Sequence, residues 1–232
     1  MNPEAPVHIR YPLMLQTWES LTFLHWPVDA GAVRRLVPSS LEVDLFEGAA
    51  WVSLVPFLIR GLRVPGTPAI PWVSTFPETN VRTYVRDARG ERGVWFFSLD
   101  ADRLLAVLGA RAGFFLPYFW ARMRVEGQHY RSERVWPGPV GAFSDIVIQP
   151  GEEMTPDALT VFLTARFRLY TRVAGIVMYG QIEHAPWRLR RARVERLDET
   201  LVQAAGLARP EQQPLVQYSE SIDVRFGYLQ RA

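Results

Sequence analysis

The sequence predicts an α+β protein built mostly from antiparallel strands, in one large and partly closed sheet. Short segments with alternating apolar and polar residues recur along most of the 232 residues, and glycine or proline separates them. Apolar residues at helical spacing occur only in a few short stretches, so helices contribute little. Many strands with few helices favour one sheet that curls on itself over a layered helical fold.

Ten segments have the alternation and composition of strands. Their ranges are 18–25, 50–59, 78–85, 93–99, 121–126, 129–135, 159–170, 176–183, 187–196 and 217–226. The stretch DARGERG, at 87–93, predicts a hairpin turn, because aspartate and glycine suit the backbone of a tight reversal. GPVG, at 138–141, predicts a second turn.

Three short helices are predicted, each beginning after an aspartate that could accept hydrogen bonds from the first turn. Asp29 precedes AGAVRRLVP, which Pro38 would end, and Asp100 precedes ADRLLAVLGARAG. Asp198 precedes ETLVQAAG, which Gly206 would end. We interpret Asp100 as a helix cap in preference to a catalytic residue.

The composition is that of an ordinary globular protein, with 48% apolar and 22% charged residues. The chain has the length of one large domain, and no low-complexity linker divides residues 1–232. No apolar run approaches the roughly 20 residues of a membrane span. The first residues, MNPEAPVHIRYP, lack the basic and apolar regions of a secretion signal, so we expect a cytoplasmic protein.

The basic residues exclude one mechanism and favour no nucleic-acid partner. All 26 residues of the Lys and Arg classes are arginine, so no side chain can form a Schiff base. The formal net charge is only +2, and the densest basic stretch, WRLRRARVER, lies beside no RNA-binding motif. We interpret that stretch as a solvated face.

Motifs for several other enzyme classes are missing. The sequence contains no GxSxG, GxxxxGK[ST], GxGxxG or HExxH, which disfavours hydrolases, kinases and dinucleotide-dependent enzymes. It has no cysteine, and its histidines do not show the spacing of a metal site. We therefore expect no metal and no cofactor. The four histidines are His8, His25, His129 and His184.

The stretch FPETNVRTYV, at 76–85, sorts its polar residues onto one side of a strand. Alternate residues of a strand point to the same face, so one face carries a carboxylate, an amide, a guanidinium and a phenol. These residues are Glu78, Asn80, Arg82 and Tyr84. They could line a ligand cavity, with Arg82 binding an anion, Asn80 orienting a carbonyl and Glu78 acting as acid or base. Alternatively the face is solvated, or Glu78 and Arg82 pair with each other.

Several segments together resemble the YqjF-like family of bacterial proteins, in the acetoacetate decarboxylase superfamily. These are LVPSSLEVD, FPETNVRTYV, GVWFFSLDA, LPYFWARM, HAPW and YSESIDV, and the resemblance extends over nearly the whole chain. The resemblance implies a cone-like or barrel-like antiparallel sheet that encloses a small-molecule cavity. In the decarboxylases of this superfamily, a cavity lysine forms a Schiff base with a β-keto acid, and a glutamate and an arginine orient the acid.

The decarboxylase residues carry over only in part. By the resemblance, Glu78 occupies the position of the glutamate, and Tyr118 or Phe119 the position of the lysine. His25 lies with Trp26 and Pro27 where the arginine would be, so it stays a candidate binding residue. A phenol in an apolar cavity can donate to an oxyanion, although Tyr118 could also be a core residue. Arg122, four residues on, could point into the same space or lie at the surface.

The preferred hypothesis is a small-molecule enzyme that moves a proton on a keto or hydroxy acid or a related carbonyl compound, as a lyase, isomerase or hydratase. Glu78 would be the base, Tyr118 the acid and Arg82 the anchor of the substrate. A non-catalytic carrier or sensor with the same cavity is the alternative, and an interaction protein is a third hypothesis. We expect a small-molecule ligand, no nucleic acid, no membrane and, from the frequency of two-fold symmetric dimers, a homodimer.

Overall fold

The computed structural model describes residues 2–232 as one extended, curved sheet with short helices. The helices are α1 (Ala30–Leu36), α2 (Leu104–Gly113), α3 (Ala158–Thr164) and α4 (Leu201–Ala204). The first six strands are β1 (Met14–Val28), β2 (Glu42–Val43), β3 (Ala50–Arg63), β4 (Phe76–Arg86), β5 (Arg92–Ala101) and β6 (Tyr118–Glu126). The last six are β7 (His129–Trp136), β8 (Phe143–Glu153), β9 (Arg168–Val173), β10 (Ile176–His184), β11 (Arg190–Glu199) and β12 (Leu215–Arg231).

Nine of the ten predicted strands overlap observed strands along most of their length, and one was largely wrong. The segment 159–170 forms α3 and only then enters β9, because Asp157 caps a helix through its bond from the Thr160 amide, 2.8 Å long. The sequence analysis also missed β8, where alternation is present but Pro150 and Gly151 interrupt the strand composition.

The predicted helix caps had different outcomes. Asp29 does cap α1, accepting a 2.7 Å hydrogen bond from the Ala32 amide. The predictions for Asp100 and Asp198 were wrong, since both residues lie in strands, at the ends of β5 and β11. The N-cap residue of α4 is Thr200, and the carboxylate of the preceding Glu199 accepts a 2.9 Å hydrogen bond from the Val202 amide in the first turn.

The strands pair into a sheet that closes on itself. The twelve strands follow the order β10-β9-β5-β6-β7-β8-β11-β12-β1-β3-β4-β2, with further pairing of β10 to β12 and of β5 to β4. These two contacts close a ring of seven strands, β10-β9-β5-β4-β3-β1-β12. All pairings are antiparallel except those of β5 with β6 and β9. The closed ring gives the strand β4 two buried faces.

The closed order leaves two places where a strand changes partners along one edge. On β12, residues 224–231 pair with β10 and residues 217–218 pair with β11. On β5, residues 94–95 pair with β9 and residues 99–101 pair with β6. We call these the β12 fork and the β5 fork. Each fork leaves a short stretch of strand without a backbone partner on that edge, within residues 2–232.

Asp100, predicted to be a helix cap, instead forms a buried ion pair. Arg134 donates two hydrogen bonds to its carboxylate, 2.7 and 2.8 Å long, and the two side chains are 1% or less exposed. The Arg134 guanidinium also lies 3.7 Å from the centre of the Phe119 ring. The pair joins β5 to β7 across the intervening strand β6, and neither charge has access to water.

Within residues 2–232, no helix combines the length and the apolar character needed to cross a membrane.

Replacing Asp100 with asparagine should lower the free energy of unfolding by about 3–5 kcal/mol, because the Arg134 charge then lies buried without a counterion. Urea denaturation of both proteins measures this difference. The matched control is Asp102→Asn, which removes a partly exposed pair with Arg103 and should cost about 1 kcal/mol or less. Equal losses of unfolding free energy in the two variants would contradict a stabilising role for the buried Asp100–Arg134 pair.

Candidate functional site

The polar row of β4 lies in the interior of the protein. Glu78, Asn80 and Arg82 are 3%, 4% and 8% exposed, so the alternative of a solvated face is excluded. Arg82 does not form an ion pair with Glu78, and its neighbours include the aromatic side chains of Phe23 and Tyr84. The intervening residues of β4 are buried as well, because β3 and β5 flank the strand and the ring closes around it.

An inner pocket of about 60 Å³ lies inside the seven-strand ring, and every strand of the ring contributes side chains to its lining. Its polar lining residues are Gln16, Glu78, Asn80, Arg82, Tyr118, Thr164, Arg166 and His184, and the others are aliphatic or aromatic. Drug-sized ligand sites are several times larger, about 300–1,000 Å³. The space therefore suits the reacting end of a molecule with only a few non-hydrogen atoms.

Glu78 and Tyr118, which the family resemblance singled out, are in direct contact in this pocket. The Tyr118 hydroxyl donates a 2.7 Å hydrogen bond to Glu78 Oε2. Burial raises the pKa of Glu78 to about 7, although hydrogen bonds from Tyr118 and Asn80 oppose the shift. Burial, together with the neighbouring Glu78, raises the pKa of Tyr118 well above its usual value. At neutral pH the pair therefore holds a poised carboxyl group beside a protonated phenol.

Arg82 is a buried cation without an anionic partner. Among residues 2–232 no carboxylate forms an ion pair with its guanidinium, and its Nε has no hydrogen-bond partner. The guanidinium lies 5.3 Å from the centre of the Phe23 ring. Burial lowers the pKa of Arg82, opposed by the nearby Tyr84, but an arginine stays protonated in proteins. An unpaired charge in such a place is costly unless a ligand supplies the counterion.

Arg166 is a second buried arginine of the pocket, which the sequence analysis did not identify. Its Nη1 donates a 2.7 Å hydrogen bond to Asp44, and its Nε donates one of 2.7 Å to the Phe162 carbonyl. Its Nη2 has no partner within the described residues. The signal was a lone charge among the apolar residues of TVFLTARF, which we had assigned to a strand.

Tyr84 and His25, both predicted to bind the substrate, do not line the pocket. The Tyr84 ring lies 4.8 Å from the Arg166 guanidinium carbon, and its hydroxyl is 2.5 Å from Ser53 Oγ. His25 Nδ1 is 2.6 Å from the same hydroxyl group of Ser53. Burial, with the charge of Arg82, lowers the pKa of His25 to about 3, so this histidine is neutral at physiological pH.

His184 and Gln16 line the pocket although neither was a predicted site residue. His184 Nδ1 donates a 2.7 Å hydrogen bond to the Ala185 carbonyl, and the ring packs against Phe167 and Trp187. Burial, with a contribution from Arg82, lowers the pKa of His184 to about 4. The histidine is thus packed and hydrogen-bonded, and it also faces the pocket.

Arg122 is not brought to this site. Its side chain is exposed on β6, opposite Glu133 on β7, and lines a surface groove. Only the first residues of β6, from Tyr118 to Trp120, pair with the ring strand β5, and Tyr118 lines the inner pocket. The later residues of β6, including Arg122, pair with β7 outside the ring.

Several polar atoms of the lining have no partner among the described residues, which is uncommon for buried groups. They are Gln16 Oε1, Trp18 Nε1, Asn80 Oδ1, Arg82 Nε and Arg166 Nη2. Donors and acceptors thus converge on one space, as ligand sites require. Residues 2–232 contain no cluster of three histidine, aspartate or glutamate side chains that could hold a metal ion.

Comparison with solved structures shows the fold of this chain. The enduracididine biosynthesis enzyme MppR, complexed with the condensation product of pyruvate and imidazole 4-carboxaldehyde, aligns with a TM-score of 0.66 at 12% identity, over 96% of this chain and 90% of MppR. Acetoacetate decarboxylase from Legionella pneumophila aligns with a TM-score of 0.61 at 12% identity, over 97% of this chain and 92% of that enzyme. The chain has the acetoacetate decarboxylase-like fold.

Comparison of sequences shows the family. The model of the DUF2071 family, described as an uncharacterized conserved protein, matches residues 15–223. The protein YqjF of Bacillus subtilis (strain 168) is 43% identical over 225 residues, which cover 94% of this chain and 92% of YqjF. The chain therefore belongs to the DUF2071 family, together with YqjF.

Proposed function

We propose that the inner pocket binds a small carboxylic acid that carries a carbonyl or hydroxyl group, and that Glu78 and Tyr118 move a proton on it. The observation that carries this proposal is the Arg82 guanidinium, which is buried in the lining without a carboxylate partner in the described chain. A bound carboxylate would supply the missing counterion and accept from the free Nε.

The remaining polar groups have distinct roles in this proposal. Glu78, Asn80 and Arg82 occupy alternate positions on one face of β4 and all three line the pocket, so an acid held by Arg82 would extend along this face towards Glu78. A carboxyl group with a pKa of about 7 is suited to both taking and returning a proton near neutral pH. Tyr118 stays protonated and can donate to the oxygen on which negative charge develops.

The absence of lysine from the sequence defines how charge would be stabilised. No side chain can form an iminium with the substrate, so an enolate-like charge would rest on hydrogen-bond donors and on arginine. Proton exchange, isomerisation or hydration needs no more than this. MppR, a protein of the same fold, has been solved in complex with pyruvate, which supports a small oxo acid as the ligand class.

Binding without turnover is the second candidate function. The observation that favours it is the mutual satisfaction of Glu78 and Tyr118, since the phenol already donates its one proton to the carboxylate. In a carrier or sensor this pair would serve as a fixed polar wall. The isotope-exchange measurement below separates the two candidates, because only an enzyme incorporates deuterium into the ligand.

Replacing Arg82 with glutamine should weaken binding of a small oxo acid by about 10–100-fold, since a hydrogen bond to a charged group is worth about 1.5–3 kcal/mol. Calorimetric titration with pyruvate, 2-oxobutyrate and acetoacetate measures the change. Arg122→Gln is the matched control and should bind as the wild type does, because Arg122 is exposed. Equal loss in both variants, or no binding by the wild type, would refute the anchoring role of Arg82.

Glu78→Gln should abolish exchange of the protons next to the carbonyl for deuterium, because an amide cannot take up a proton at neutral pH. Proton NMR of the bound acid in D₂O follows this exchange. In the wild type, the rate should rise with pH through about 7, as the carboxyl group of Glu78 ionises. If the wild type binds the acid but exchanges no protons, the chemistry is refuted and the binding function remains.

The raised pKa of Glu78 should also make stability depend on pH. Its folded pKa of about 7 exceeds the usual 4.5, so the folded protein binds the extra proton between these values and loses stability as pH rises through them. A shift of this size corresponds to about 3 kcal/mol. The variant Glu78→Gln has no carboxyl group to ionise and does not lose stability in this way. Its melting temperature minus that of the wild type should therefore increase from pH 4.5 to pH 8. A difference that does not vary with pH would contradict the shift.

A further inference from the structure

The inner pocket has an outer neighbour with which it shares two lining residues. This outer pocket, of about 670 Å³, is bounded mainly by the start of β1, the middle of β12 and the segment after β10. Gln16 and His184 line both pockets. Both are also in register with Val224, Gln16 from one edge of β12 and His184 from the other. The two side chains therefore flank one point of the ring wall.

That point is the β12 fork. Among the described residues, β10 pairs with β12 only from Val224 onwards and β11 only at residues 217–218, so the edge at 219–223 has no strand beside it. The segment that leaves β10 here, HAPW at 184–187, is one that the family resemblance singled out and to which the proposed function gives no role. Ser221 and Pro186 from the two sides of the fork both line the outer pocket.

A surface groove at the β5 fork also shares lining residues with the inner pocket, but there the shared residues are apolar. That groove, of about 520 Å³, shares Phe96 and Leu116 with the inner pocket. At the β12 fork the shared residues are polar. Gln16 is only 6% exposed, and its buried Oε1 has no hydrogen-bond partner among the described residues. A polar solute crosses a wall more easily where polar groups replace its water. The β12 fork is therefore the more suitable route.

The outer pocket also has an unbalanced charge. Arg63, Arg188 and Arg225 line it, and none of them forms an ion pair within residues 2–232. Its two carboxylates are already engaged: Glu183 accepts from His8 Nδ1 at 2.6 Å and from the Ile9 amide at 2.7 Å. Asp223 accepts from Thr17 at 2.7 Å. Arg225 lies opposite Glu183 on the neighbouring strand and helps to lower the pKa of that carboxyl group, so the guanidinium groups of Arg63 and Arg188 are the charges left for a ligand.

We propose that the β12 fork is the entrance to the inner pocket, and that the outer pocket is a second subsite that binds an anionic group at the far end of the ligand. The ligand is then an oxo or hydroxy acid with a second acidic group, long enough to pass between Gln16 and His184. The ligand class rests on the proposed function, whereas the entrance does not.

The entrance can be tested without any ligand, because the chain has no cysteine. Val55→Cys places one thiol in the inner-pocket lining with little change of volume. Its carboxymethylation by iodoacetate is followed by mass spectrometry, with the cysteine-free parent as the blank. Adding Ser221→Trp, at an exposed position of the outer pocket, should block the entrance and slow the reaction by about tenfold or more. The reaction that remains would then proceed only when the protein opens locally. Arg172→Trp, exposed at the β5 fork, is the matched control and should leave the rate unchanged.

Three outcomes would overturn the entrance: slowing by Arg172→Trp in place of Ser221→Trp, slowing by neither, or a thiol that reacts only after denaturation. Thr164→Cys, also in the inner-pocket lining, is the second reporter if Val55→Cys fails to fold. Arg122→Cys, at an exposed position, shows whether Ser221→Trp alters thiol reactivity in general.

The subsite is tested with two acids of equal length, 2-oxoglutarate and 2-oxopentanoate. The diacid should bind about three- to fivefold more tightly for each exposed ion pair it forms. That preference should shrink in Arg188→Gln and at high salt, which screens exposed charges. Equal binding of the two acids, with Arg82-dependent binding of both, overturns the subsite and leaves the proposed function intact. If neither acid binds and the thiol experiment succeeds, the proposed function fails and the entrance stands.

Discussion

The burial of charged groups inside a closed ring of strands is the constraint on which the rest of this structure depends. Pairing of β10 with β12 and of β5 with β4 removes both faces of β4 from water. Every polar side chain that points into the ring must then find a partner or pay for desolvation. That single condition accounts for the raised pKa of Glu78 and for the neutral state of His25 and His184.

The protein meets this condition in two ways. Asp100 and Asp44 are satisfied by arginines from distant parts of the chain, Arg134 and Arg166, and these pairs hold separate segments of the chain together. Arg82 has no such partner within residues 2–232, and it faces the inner pocket together with Glu78. The buried arginines thus differ in whether the protein itself provides a carboxylate: Arg134 and Arg166 receive one, and Arg82 does not among the described residues.

If the proposed function holds, this fold would stabilise negative charge on a substrate without a Schiff-base lysine. In a lysine-dependent site the cation that stabilises the developing charge is covalently bound to the substrate. Here the cations are guanidinium groups, which cannot form that bond but offer several fixed donors to an acid. The phenol of Tyr118 lies against Glu78 and supplies a neutral donor beside them. Chemistry at such a site would depend on preorganised hydrogen bonds, and its small volume would select the reacting end of the ligand.

By itself the sequence determined the class of fold, nine of the strands, the cap at Asp29 and the shared face of Glu78, Asn80 and Arg82, because alternation and capping act over a few residues. The family resemblance added the link between Glu78 and Tyr118, 40 residues apart in sequence and 2.7 Å apart in space. Only the tertiary structure decided that Asp100 pairs with Arg134, that Arg166 reaches the pocket and that Arg122 does not. Those outcomes depend on register and on the closure of the ring, which bring together residues whose separation along the chain carries no local signal.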